Sequence, residues 1–335
     1  MKSYNIIPYF VGMEGCKSRC IYCNQHVLKG YTKNLSLKDF VQQHRKLFRH
    51  QHNMELAFYG GTFFNLNPKR RDFFKNEIIS LKESKLIDRA RCSTTPESIS
   101  KEVMDEFKGV IDCVELGVQS MDDYVLKISN RRYLAKDVIY AFSLLKYYGY
   151  ESAAQLMIGM PFESRTSHIY TTQKILDIKP DFVRLYPLFI LKGTMLHSYY
   201  NLGYFKPISN DELIWRLAYS FINFNLKGIN VIKIGLTEFV DKQDTVFIHY
   251  ESDLRGKVLS FIFLNLLLKH LSKDRHSHLS CNKADYQYIV GVKKTNLKKL
   301  NNMGYFFDIS ITDIERNHIE IDGRDISISD LNLVF

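Results

Sequence analysis

Short runs rich in β-branched and aromatic residues alternate with helical patterns over the first 240 positions, and this limits the fold more than any other feature. The runs are "NIIPYFVG" (5–12), "MELAFYGG" (54–61), "DCVELGVQ" (112–119), "SAAQLMIG" (152–159) and "DFVRLYPL" (181–188). Weaker ones lie at "RARCST" (89–94) and "NVIKIGL" (230–236). Between them, Leu37, Phe40, Val41, Leu47 and Phe48 share a helical face after Ser36, an expected N-cap with Asp39 three residues on. Val138, Ala141, Phe142 and Leu145 do the same after Asp137, with Gly149 the expected stop. Strands buried on both faces and separated by helices predict a parallel sheet covered by helices. About six such units are present, and periodicity alone does not say whether they close into a barrel. Near residue 240 the rhythm fades. A helix is expected over 253–271, then a mixed segment ending in "FFDISIT" and "IEIDGRDISI", two runs expected to pair as strands. The expected division is an α/β domain over 1–240 and a small α+β domain over 241–335.

Three of the six cysteines fall in "GCKSRCIYCN" (15–24), where Cys16, Cys20 and Cys23 form C-x₃-C-x₂-C. Cys92, Cys113 and Cys281 are scattered and expected to be buried small residues. This is no disulfide framework, and it fits a reducing compartment. The opening "MKSYNIIPYFVGMEG" has no small-residue cleavage site, and the most apolar stretch, "VLSFIFLNLLL" (258–268), is too short to span a bilayer. A soluble, cytoplasmic protein without a membrane is expected.

The formal net charge is +10, and residues 245–335, with 12 Lys/Arg and 11 Asp/Glu, carry little of it. Basic clusters occur at Lys69-Arg70-Arg71, Arg131-Arg132, Lys293-Lys294 and Lys298-Lys299. Such an excess favours polyanionic partners, RNA among them, and equally describes a plain basic surface. "VGVKKTNLKKL" (290–300) resembles a KH-type RNA-binding loop but lacks its GXXG core, so a basic helix face on a small domain is expected there.

The clustered thiols have two readings. His26, three positions past Cys23, would complete a Cys₃His zinc set, although structural zinc sites usually draw their ligands as two separated pairs. An iron–sulfur cube held by three thiolates instead leaves one iron without a protein ligand.

C-x₃-C-x₂-C with Tyr22 directly before the last cysteine resembles the signature of the radical SAM enzymes. The resemblance implies a partial (β/α)₆ barrel. Cys16, Cys20 and Cys23 would hold a [4Fe–4S] cluster whose open iron chelates S-adenosyl-L-methionine (SAM). One electron from a donor such as flavodoxin or ferredoxin would cleave SAM to a 5′-deoxyadenosyl radical. "FYGGTFF" (58–64) is similar to the family's glycine motif, placing Gly60, Gly61 and Thr62 at the SAM amino group, since glycines allow close backbone approach. "VELGVQS" (114–120) is similar to its fourth-strand motif, with Gln119 a SAM contact and Arg131 a candidate for the SAM carboxylate. "QLMIGMP" (155–161) resembles the fifth-strand segment, with Gln155 and Ile158 at ribose and adenine.

"STTPES" (93–98) and "VRLYPLFILKGTML" (183–196) are similar to segments of the shorter bacterial relatives of the Elongator catalytic subunit, a tRNA wobble-uridine modifier. Ser93 stands where the branch of oxygen-independent coproporphyrinogen oxidase has a carboxylate, while Thr95 and Glu97 depart from the Elongator pattern. Arg184 and Lys192 are the catalytic candidates, able to bind a substrate anion or to form a buried salt bridge. Residues 241–335 are too short for Elongator's acetyltransferase domain, so acetyl-CoA chemistry is not implied. The substrate expected is tRNA. The alternatives are a porphyrinogen-type small-molecule reaction, or a non-catalytic iron–sulfur, haem or RNA-binding protein.

Overall fold

The computed structural model describes residues 4–25, 36–50, 52–235, 242–249 and 253–333. The chain divides into two compact units, Met1–Pro207 with Leu236–Ile248, and Ile208–Gly235 with His249–Phe335. The segment 208–235, expected with the α/β part, therefore groups with the C-terminal residues.

In the first unit, strands and helices alternate: β1 (Asn5–Phe10), α1 (Leu37–Arg45), β2 (Met54–Tyr59), α2 (Pro68–Glu83), β3 (Arg89–Thr94), α3 (Lys101–Glu106) and β4 (Cys113–Gln119). Then come α4 (Asp123–Ile128), α5 (Ala135–Tyr148), β5 (Glu151–Ile158), α6 (Arg165–Ile178) and β6 (Phe182–Pro187). The six strands lie side by side in chain order, each neighbouring pair parallel. This is the (β/α)₆ arrangement that the resemblance implies. Ser36 caps α1 as expected, its Oγ accepting from the Asp39 amide at 3.1 Å. Leu47, however, lies past the end of that helix and is exposed, so it does not share the apolar face. Helix α5 begins two residues before Asp137, because the Asp137 carboxylate reaches back to the Leu134 amide at 2.8 Å. Gly149, at φ 77°, ends it.

Residues alternate between the two faces of each strand. One face carries Leu56, Phe58, Cys92, Val114, Leu116 and Val118, all fully buried. The other holds an ionic network. Glu115 accepts from Arg91 Nη1 at 2.8 Å and from Arg184 Nη2 at 2.9 Å, and its second oxygen lies 2.8 Å from Arg184 Nε. Glu55 lies 2.8 Å from Arg91 Nη2 and 2.9 Å from Arg89 Nε, and Arg89 also pairs with Glu151. Burial alone would raise the Glu115 carboxyl, but Arg184 and Arg91 outweigh it and hold the group below its ordinary value.

In the second unit, the two longest described helices, Asn210–Leu226 and Leu254–His270, and two shorter ones, Tyr286–Val290 and Thr295–Asn302, accompany a four-stranded sheet in the order 306–311, 276–281, 318–321, 324–327. The two C-terminal runs do not pair with each other. "FFDISI" pairs parallel with His276–Cys281, and "IEIDGRDIS" is itself a hairpin. Its turn, Asp322-Gly323, has φ 50° and 81°, the left-handed pair that an Asp-Gly dipeptide favours. Cys92, Cys113 and Cys281 are buried, as expected.

Replacing Glu115 by Ala leaves Arg184 without its carboxylate and Arg91 with Glu55 alone, and is expected to cost about 3–5 kcal/mol, read from urea unfolding. Because the Glu115 pKa is lowered on folding, its contribution is present above the ordinary carboxylate range and lost as pH falls below it. A loss under about 1 kcal/mol would remove the network from its structural role.

Candidate cofactor site at the strand ends

The singled-out residues gather at the carboxyl ends of the strands, where parallel α/β folds place their chemistry. The cysteine loop leaves β1, the Gly60-Gly61 turn leaves β2, and Gln119 ends β4. Cys20 is buried and Cys16 and Cys23 are half-buried. Burial, then the Cys20 and Cys16 thiols, push Cys23 up to about 12, so binding a metal here must expel protons. Among the described residues, no group of three or more His, Cys, Asp and Glu side chains is placed to hold a single ion. A four-iron cube instead takes each thiolate on a separate iron. His26, the fourth ligand of the zinc reading, lies outside the described residues.

Two close contacts shape the loop. Thr62 N donates to Glu14 O at 2.9 Å, and Met13 N donates to Gly60 O. A Cβ on Gly61 would lie 2.6 Å from Glu14 O and 2.8 Å from Val11 Cγ2, and one on Gly15 would lie 2.3 Å from Thr62 O. The glycines therefore let two stretches of backbone touch, the cysteine loop and the turn after β2. The Thr62 amide is spent on that contact. Thr62 itself is buried.

Arg131 braces the loop from the other side. Its Nη1 donates to Cys20 Sγ at 3.2 Å and to the Tyr22 hydroxyl at 3.5 Å, its Nη2 to Gly117 O at 2.8 Å, and its Nε to the Tyr133 hydroxyl at 2.8 Å. It is no solvated helix charge. The bulge at Gly117–Gln119 sets Gln119 at φ 65°, and Gln119 Oε1 is buried without a hydrogen-bond partner among the described residues. A Cβ on Gly117 would lie 3.1 Å from Gln119 Nε2 and 3.4 Å from Arg131 Nη2, so that glycine makes room for both side chains. An orphaned acceptor on the bulge that also carries the Arg131 contact to Gly117 fits a polar ligand carrying donors, as the amino and hydroxyl groups of SAM do.

Deeper on the same face, Gln155 Nε2 donates to Glu115 at 2.8 Å and to Ser93 Oγ at 3.2 Å. Ile158, three positions along β5, points to the opposite face and is buried, so it does not share a wall with Gln155. Arg184 takes the salt-bridge alternative, tied to Glu115 and 3.1 Å from the Tyr59 hydroxyl. Lys192 is exposed on the loop after β6, where its carbonyl accepts from Asn24 Nδ2 at 2.7 Å. Among the described residues, Arg184 and Lys192 share no partner. The sequence reading missed Glu115, the centre of the interior. Its only signal was a carboxylate inside the apolar run "DCVELGVQ".

A sequence profile of the Radical SAM superfamily matches residues 10–171, and one of the Radical_SAM C-terminal domain matches residues 180–255. The chain belongs to the radical SAM superfamily and is an enzyme of it. It is 31% identical over 204 residues to the tRNA uridine(34) acetyltransferase of Methanocaldococcus infernus. It is 24% identical over 210 residues to human Elongator complex protein 3. These matches cover 54% and 56% of this chain but 38% of either relative, so the chain spans about two fifths of their length. The solved structure of the archaeal Methanocaldococcus infernus Elp3 superposes with a TM-score of 0.61 at 21% identity, over 77% of this chain and 62% of that one, and shows the fold shared.

Gly61→Ala is expected to lower stability by about 1–3 kcal/mol and to reduce the iron retained after anaerobic reconstitution, because the new methyl parts the two backbones. Wild-type iron content with a wild-type melting temperature would show that the contact tolerates the change.

Proposed function

We propose that Cys16, Cys20 and Cys23 hold a [4Fe–4S] cluster, that SAM binds against Gln119 and the Gly60–Thr62 turn, and that the substrate is a tRNA. The observation that carries this reading is the clamp on the cysteine loop, closed by the Gly60–Thr62 backbone on one side and Arg131 on the other. Bound together, the cluster and SAM supply reductive cleavage of the sulfonium bond, the chemistry of the family. The chain's own residues do the rest. Arg131 fixes Cys20 and Tyr22 in place, Gln119 presents a buried acceptor, and the apolar packing of Ile21, Val125, Met160 and Leu196 around the loop keeps water out.

Two features support an RNA substrate. The relatives matched over this region are named as tRNA uridine(34) enzymes and as Elongator complex protein 3. The interior cations Arg89, Arg91 and Arg184 are all paired with carboxylates, leaving Gln155, Ser93 and Tyr59 as uncharged hydrogen-bonding groups. That lining suits a neutral nucleobase turned out of its stack rather than an anion. It argues against Arg184 as an anion-binding catalytic residue, and leaves Lys192 at the margin. No described helix is long and apolar enough to cross a membrane, and a cytoplasmic setting is part of this proposal.

Reconstituted protein given dithionite and SAM is expected to release 5′-deoxyadenosine, and Cys20→Ala to abolish both that product and the brown cluster absorbance. Mass spectrometry of tRNA from cells with and without the protein is expected to show one modified uridine lost. An unchanged nucleoside profile would move the substrate elsewhere.

A further inference from the structure

In the second unit, strands His276–Cys281 and Phe306–Ile311 lie side by side and parallel, and the connection between them holds the helices Tyr286–Val290 and Thr295–Asn302. Between the helices runs the turn Gly291-Val292-Lys293-Lys294. Gly291 has φ 75°, and a Cβ there would lie 2.7 Å from Thr295 Oγ1 and 2.8 Å from Asn296 N. Lys293 and Lys294 follow at φ 52° and 60°. Two successive left-handed residues that are not glycine are rare, because Cβ crowds the following carbonyl. The buried Asn296 holds the turn from inside. Its Nδ2 donates to Ser260 O at 2.9 Å and to the Tyr288 and Ile289 carbonyls at 3.2 Å. Leu300, one helical turn on, is fully buried on the same face of the helix. Lys293, Lys294, Lys298 and Lys299 are all exposed, with Lys294 and Lys298 one turn apart.

Charge is segregated onto this segment. From 286 to 307 the chain carries four lysines and no Asp or Glu, while the rest of 249–335 carries eight Lys/Arg against 11 Asp/Glu. None of the four lysine side chains has an ion pair or hydrogen bond among the described residues. The acids that bracket the segment are engaged elsewhere. Asp285 accepts from Arg316 Nε at 2.8 Å and from the Asn317 amide at 2.7 Å, and Asp308 lies 2.5 Å from both His276 and His278.

Resting on the reading of the substrate as an RNA, we propose that this turn and the lysine face behind it grip the sugar–phosphate backbone of a single-stranded RNA segment. KH modules clamp nucleotide backbones with a short G-x-x-G turn. The sequence lacks the second glycine of such a turn. Lys294, which stands in its place, nevertheless takes the left-handed φ that glycine adopts at least cost. The shape of the turn is therefore kept, and the glycine is exchanged for a cation. Unpaired lysines displace counterions from the phosphates they meet, which favours a polyanion. Val292, 47% exposed within the turn, adds an apolar contact for a sugar or base that a purely ionic surface does not need.

The test uses cluster-loaded full-length protein and a short fluorescein-labelled oligouridylate, with binding followed by fluorescence anisotropy over a range of salt. Lys293→Asp with Lys294→Asp is expected to weaken binding about tenfold or more and to lower the salt slope by about 1.4, the loss of two phosphate contacts. Aspartate tolerates the left-handed conformation, so iron content and melting temperature should stay at wild-type levels. If that variant does not fold, Lys298→Gln with Lys299→Gln, on the exposed helix face, carries the same test. Lys294→Gly separates shape from charge. It removes a cation but suits φ 60°, and is expected to bind within about twofold of wild type, whereas Lys294→Gln loses more. Equal losses in these two variants would overturn the role of the turn. Wild-type affinity in the lysine pairs, or equal competition by duplex RNA or polyglutamate, would overturn the proposal as a whole. Lysine-dependent oligouridylate binding with no tRNA altered in cells would leave the turn standing and remove only the tRNA substrate.

Discussion

Glu115 is the pivot of the first unit. Fully buried on the central strand β4, it accepts from guanidinium groups on β3 and β6 and from the Gln155 amide on β5. A carboxylate in that position is expensive to desolvate, and only the pair of arginines keeps it charged. Its partners therefore fix the lateral placement of four strands on the face opposite Val114 and Leu116. The interior of the sheet is polar yet electrically balanced, with Arg89, Arg91 and Arg184 each facing a carboxylate.

The strand ends repeat this pattern at a smaller scale. The cysteine loop carries little regular hydrogen bonding of its own, and its shape is imposed by neighbours: the Gly60–Thr62 turn, the Arg131 guanidinium and the segment from Lys192 to Leu196. Three neighbouring segments thereby converge on the loop that carries the three thiols. Arg131 links the two levels, because its Nη2 holds Gly117 O only two residues beyond Glu115 on β4. The loop that would carry the metal is in this way coupled to the register of the central strand.

Much of this was legible in order along the chain. The strand spans over 89–94, 113–119 and 182–187 fall within two residues of the expected runs, because apolar periodicity is a local property of the sequence. The thiol spacing, the cap at Ser36 and the stop at Gly149 are local too. What misled was also local. The two C-terminal runs look like a pair, yet His276–Cys281 comes between them, and its polar-alternating "HSHLSC" carries no strong strand signal.

The sequence by itself determined the alternation of elements, the cysteine set and the family, since each depends on residue types at fixed spacing. Only the tertiary structure decided the partners. It assigned Arg184 to Glu115, used Gly61 for contact between backbones, turned Ile158 away from Gln155, and left Lys17, Arg19 and Lys192 unpaired at the surface. The physical reason is that charge pairing and close packing join residues far apart in the chain, and no window of sequence contains both members of such a pair.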